Sequence, residues 1–240
     1  MWGLLCVAAL VVGFAKTAIG GLGTVAVALF AAAMPAREST AALLLVLLVG
    51  DALAVAVYRG DCDWSMLRRL IPTVLPGLAL GALLLDVLDD ATIRDVIAVV
   101  LLVLALVQLL SRRRRSGEDL RTWSWRRTSV VGVAAGLATM VANAAGPVMT
   151  LYLVAQGVDK RRFLGTAAWF FFGVNLCKVP FSAGLGLFDR DMAVTAVLLA
   201  PLVLVGGFAG IVVARRLEQR SFDIAVLCAS CVGALGLLVR

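Results

Sequence analysis

Histidine is absent from this chain of 240 residues, and that absence removes much catalytic chemistry at once. A serine nucleophile has no histidine to activate it, and a zinc site loses its usual nitrogen ligand. Charge is also scarce: Asp, Glu, Lys and Arg make up 15% of the residues, against 62% hydrophobic, with a mean hydropathy of +1.02. A soluble domain of this size cannot hide so much apolar surface, so lipid is the expected solvent. No phosphate-binding loop of the G-x-x-x-x-G-K-[ST] kind occurs. Any pumping energy must then come from a gradient or a separate subunit. Cysteine is sparse and scattered, and the C-x-x-C pair Cys228 and Cys231 sits in an apolar run without a second ligand pair. No metal and no cofactor is expected. A basic stretch preceding the first apolar residues is missing too, so residues 2–12 are expected to be mature structure and not a signal peptide.

What is present is a row of apolar stretches. Residues 41–57, 67–85 and 93–110 in the first half, and 163–187, 192–213 and 222–239 in the second, are long enough to cross a bilayer. Two further apolar segments, 2–34 and 130–156, are each interrupted by glycine and polar atoms. The interruptions correspond. Gly13, Ala15 and Gly23 fall on Gly136, Ala138 and Gly146, while Pro72, Gly77, Gly81 and Leu88 fall on Pro201, Gly206, Gly210 and Leu217. The expected fold is an all-α polytopic membrane protein of two inverted repeats. Each repeat would be a broken or re-entrant helical hairpin followed by three transmembrane helices. The repeats are placed at 1–110 and 129–240, with a basic cytoplasmic linker at 111–128.

Each interrupted segment could be one long crossing or a hairpin, and loop charge favours the hairpin. Arg59, Arg68 and Arg69 follow the first full span, and Arg112 to Arg127 follow the third, whereas Asp86, Asp89, Asp90 and Asp95 crowd the loop between. In the second half the basic loops are Lys160-Arg161-Arg162 and Arg215-Arg216-Arg220. All of them face the cytoplasm only if 130–156 enters and leaves on one side. The same logic makes 2–34 a hairpin from the other side. The net charge of +7 and the run Arg112 to Arg115 near Trp123 and Trp125 thus belong to a membrane face, not to nucleic-acid binding.

Duplicated broken helices mark a transporter's substrate site. Their glycines let backbones approach, and the free N–H groups of half-helices carry partial positive charge that favours an anion. Lys16, Asp51 and Lys178 lie within apolar context, where a charge is costly and usually functional. Asn175 and Lys178 share a helical face and, with Asn143 and Gly146, form a candidate oxyanion clamp. Lys16, Gly20, Gly21 and Gly23 would face it from the first repeat, and Asp51 is the candidate for a coupling proton. The plainer alternatives are that Lys178 snorkels or pairs with Asp51, that Asn143 only caps a helix end, and that Asp51 only neutralises a lysine. Gly77, Gly81, Gly206, Gly207 and Gly210 have the spacing of close helix packing.

The second repeat resembles the TauE/SafE sulfite exporters, also called the toluene sulfonate uptake permeases. The resemblance lies in Asn143-Ala144-Ala145-Gly146-Pro147, Tyr152-Leu153, Gly157, Lys160, Phe163, Gly165-Thr166, Asn175, Lys178 and Pro180. Where members often carry a denser glycine run, this chain has Gly20-Gly21-Leu22-Gly23, and Lys16-Thr17 varies as well. That departure bears on substrate more than on fold. The resemblance implies a multi-pass permease of the bacterial inner membrane, moving sulfite, sulfonate or sulfoacetate-type anions with a coupling proton or sodium ion. A secondary carrier working by alternating access, one repeat rocking against the other, is the expected function. A passive anion channel is the first alternative and an intramembrane enzyme the second. For the latter, Asp86, Asp89 and Asp90 as a diphosphate site lack an inward-facing second cluster.

Overall fold

The structure is a computed structural model, and it describes residues 2–18, 22–89 and 125–219, with isolated positions at 92, 93, 96, 99, 221 and 225. Among these residues every regular element is helical. The helices are α1 (Trp2–Thr17), α2 (Gly23–Ala33), α3 (Ala36–Tyr58), α4 (Trp64–Val87), α5 (Trp125–Ala142), α6 (Ala145–Ala155), α7 (Lys160–Gly184) and α8 (Arg190–Arg216). A 3₁₀ turn, Arg59–Asp61, joins α3 to α4. Four segments, Glu38–Asp61, Trp64–Val87, Lys160–Gly184 and Arg190–Arg216, are long and apolar enough to cross a membrane. They match four of the six expected spans. The expected spans 93–110 and 222–239, the linker, Gly20, Gly21, Asp90, Asp95, Cys228 and Cys231 lie outside the described residues or almost entirely so.

Both interrupted segments are pairs of short helices. At about 1.5 Å per residue, α1 and α2 reach only about 24 and 16 Å, short of a hydrocarbon core of about 30 Å. The same holds for α6. The order short–short–long–long then recurs: α1, α2, α3 and α4 are followed by α5, α6, α7 and α8.

Glycine contacts show how the halves engage. A Cβ on Gly13 would lie 1.9 Å from the Val203 carbonyl oxygen, and one on Gly206 would lie 2.1 Å from that of Leu10. The counterparts behave alike: Gly136 would meet the Val74 carbonyl at 2.2 Å, and Gly77 that of Val133 at 2.2 Å. Gly210 meets Phe14 and Thr17, just as Gly81 meets Leu137 and Met140. Thus α1 packs on α8 and α4 on α5, residue for corresponding residue, with numbers rising together along each pair. Both pairs run parallel.

Register fixes which ends lie together. The Asp63 N–H donates to the Thr166 Oγ1 at 2.9 Å, and Lys160 Nζ donates to the Ala214 and Leu217 carbonyls. The end of α3, the starts of α4 and α7 and the end of α8 therefore form one end of the molecule. Arg59, Arg68, Arg69, Arg161, Arg162, Arg215 and Arg216 collect there. Because α5 runs parallel to α4, it starts at this basic end. Because α6 leads directly into Lys160, the α5–α6 pair also returns to it. The α1–α2 pair does the opposite, since α1 starts beside the start of α8 and α2 runs into the start of α3.

Two apolar clusters fill the interior. One joins Leu5, Val12, Val27, Phe30, Leu43, Val46, Leu199 and Val203, from α1, α2, α3 and α8. The other is built chiefly on α4, α5, α6 and α7, including Leu70, Leu78, Met140, Met149, Leu153 and Phe170. The fourth helix of each sequence half is therefore packed with the hairpin of the other half.

Candidate functional site

Charged side chains meet where the two clusters face each other. Asp51, on α3 and fully buried, takes an ion pair from Lys16 Nζ on α1 at 2.6 Å. Its other oxygen accepts from Asn175 Nδ2 on α7, also at 2.6 Å. Lys16 lies 4.3 Å from the centroid of the Phe171 ring, and Gly50 leaves room for its stem, since a Cβ there would stand 3.1 Å from Lys16 Cγ. An ion pair in this setting survives because the amide supplies the hydrogen bond that the second carboxylate oxygen needs.

Lys178 is as buried as Asp51 but does not pair with it. Its Nζ donates to the Thr139 carbonyl at 2.6 Å and to the Asn143 Oδ1. It thus neutralises the carbonyl end of α5, where the helix dipole leaves negative charge. Asn143 ends that helix in the left-handed conformation, with φ 51°. Its N–H closes the helix on Thr139 O at 2.9 Å, the asparagine form of a helix C-cap. Its Nδ2 donates to the Thr40 carbonyl at 3.0 Å. Asn143 thus caps α5 and at the same time ties it to α3 and to Lys178.

A cavity of about 40 Å³ adjoins these groups. Lys16, Gly23, Thr24, Thr139, Asn143, Gly146 and Asn175 supply its polar wall, and Leu47, Phe163, Leu164 and Phe171 are among its apolar residues. Gly23 and Thr24 open α2, while Gly146 belongs to the first turn of α6; neither helix start has a side-chain cap. Both half-helices therefore turn their N-terminal dipoles toward one space. The structure gathers Lys16, Gly23, Asn143, Gly146 and Asn175 at the wall. Lys178 stands behind Asn143, and Asp51 behind Lys16 and Asn175.

Thr24, Thr139, Thr40 and Tyr58 are absent from the sequence reading. Thr139 was recognisable, because it is the counterpart of Lys16 under the offset that relates Gly13 to Gly136. Thr40 and Tyr58 carried no such signal. Thr40 contributes a main-chain carbonyl, and the Tyr58 hydroxyl donates to the Thr17 carbonyl at 2.8 Å, holding the tip of the first hairpin.

The comparison with known families settles membership: the family model described as Sulfite exporter TauE/SafE matches residues 5–237. The chain belongs to the TauE/SafE family. No curated protein and no solved structure matches it. With its membrane-capable helices, this TauE/SafE chain is a multi-pass membrane protein of an exporter family. Some positions that carry the resemblance have structural tasks here. Lys160 caps α8, a Cβ on Gly165 would lie 2.5 Å from the Asp61 backbone, and Gly157 takes φ +65°.

Proposed function

We propose that this TauE/SafE protein is a secondary transporter of small sulfur-containing anions, of the sulfite, sulfonate or sulfoacetate type, in a bacterial inner membrane. The observation that carries the reading is the shared cavity, where the uncapped starts of α2 and α6 meet beside Lys16. Two converging dipole ends and one cation favour an oxyanion, and Asn175 and Asn143 add amide groups. Gly20 and Gly21 extend the first break next to Gly23. Lys178 contributes its field from behind Asn143.

In this reading the repeats are inverted, which the opposite entry ends of the α1–α2 and α5–α6 pairs support. Alternating access rocks the helices around the first apolar cluster, α1–α2–α3–α8, against those around the second, α4–α5–α6–α7, across the α3–α7 interface that carries the site. An arriving anion competes with Asp51 for Lys16, and the displaced carboxylate takes up a proton. Transport is then coupled to the proton gradient, and the protein performs no covalent chemistry.

Labelled sulfite uptake into proteoliposomes, with and without an imposed pH gradient, tests this. Saturable, gradient-dependent flux that disappears in Lys16→Met is expected. Flux that is linear in sulfite and indifferent to the gradient identifies a channel instead. No sulfite flux in folded protein returns the substrate to a wider anion screen.

A further inference from the structure

Hydrogen bonds join α3 to the helices of the second apolar cluster at its end, in its middle and at its start. Near its end, the Trp169 indole donates to the Arg59 carbonyl. In its middle, Asp51 accepts from Asn175. At its start, Asn143 donates to the Thr40 carbonyl, and the Thr40 hydroxyl donates to the Val141 carbonyl at 3.4 Å. Thr40 lies 18 residues before Tyr58, so about 27 Å of helix separates it from the basic end. Asn143 is on the cavity wall and Thr40 is not.

The geometry points to Asn143 as the gate on the side away from the basic loops, closed by its bond to Thr40 and held in position by Lys178. Lys178 is a positioning residue in this arrangement. Its ammonium occupies the Asn143 Oδ1, which turns the amide nitrogen, a donor, toward Thr40. Without that cation the side-chain amide is free to rotate or flip, and the donor leaves the Thr40 carbonyl. Among the described residues, the end of α1 is held instead by the neutral Tyr58 hydroxyl, which donates to the Thr17 carbonyl. The ends of α1 and α5 are therefore held by different chemistry although the halves correspond in packing.

The gate presupposes alternating access, but its test needs no transported substrate. Leu47 lies on the cavity wall, seven residues along α3 from Thr40. Leu47→Cys, in a chain with its five native cysteines replaced, reports access when a membrane-impermeant maleimide is applied to right-side-out or inside-out vesicles. Asn143→Asp keeps an oxygen for Lys178 but has no amide hydrogen for Thr40. It is expected to raise labelling from the face opposite the basic loops about tenfold, the change that losing one buried hydrogen bond brings, and to leave the basic-face rate as it was. Lys178→Met is expected to do the same. Asn143→Gly, which accepts the left-handed backbone without strain, decides the matter if the aspartate variant does not fold. Unchanged labelling from the opposite face, or an equal rise from both faces, overturns the gate. Absence of sulfite flux in the parent protein with face-selective labelling intact would return the substrate to a wider anion screen and leave the gate standing.

Discussion

At the scale of single residues, the membrane interior makes every charge conditional on its partner. Lys16 and Asp51 satisfy each other, so removing one leaves the other buried and uncompensated, at a cost of about 3–5 kcal/mol. Lys16→Met is therefore expected to lower thermal stability in detergent, read as the temperature at which half the protein stays monodisperse. Lys16→Met combined with Asp51→Asn should recover most of that loss without recovering transport. Asp51→Asn alone should leave residual flux that no longer responds to an imposed pH gradient. Recovery of both stability and transport in the double variant would show that the pair is structural only.

Helix ends and helix contacts come next. Asp63 caps α4 by accepting from the Ser65 and Met66 N–H groups and from the Ser65 hydroxyl. These bonds, the Ser65 hydroxyl first, hold its carboxyl below the ordinary carboxylate value. A carboxylate depressed in the folded state stabilises above its unfolded pKa, and that contribution fades as pH falls through the folded value. Asp63→Ala should therefore cost about 1 kcal/mol at neutral pH, and the difference from the parent should shrink in acid melts below the ordinary carboxylate range. The glycine seams give a sharper contrast. A Cβ on Gly13 or Gly136 would strike backbone, whereas one on Gly173 meets nothing within 4 Å. Gly13→Ala and Gly136→Ala should each destabilise by about 1–3 kcal/mol, the usual cost of overpacking, while Gly173→Ala should leave the melting temperature unchanged. The matched losses would follow from the matched contacts.

Over the whole molecule, helix direction sets the end of the molecule at which each pair of short helices starts and to which it returns. Cysteines at 126 and 162 should be labelled from the same side of the membrane, and cysteines at 34 and 187 from the other. Labelling of 126 and 162 from opposite sides would make α5 and α6 a single broken crossing. The arrangement was partly legible beforehand, because four spans and both breaks follow from hydropathy and glycine, and loop charge already favoured a hairpin at 130–156. The site was legible in its members more than in its pairings. Lys16, Asp51, Asn175 and Lys178 stand out as polar groups in apolar context, but nothing in their spacing says that Asp51 takes Lys16 and leaves Lys178 to the end of α5.

The sequence by itself determined the solvent, the family and the positions of the breaks. Each of these is a local property: summed hydropathy, the spacing of a motif, a residue type that a tight approach demands. Tertiary structure alone decided that α8 packs with the first hairpin and α4 with the second, and hence which charges meet. In lipid, one apolar helix face looks much like another, so partner choice rests on small residues that let particular backbones touch. Those contacts, Gly13 on Val203 and Gly136 on Val74, join residues far apart in the chain. They set Lys16 beside Asp51 and turn Lys178 toward Asn143.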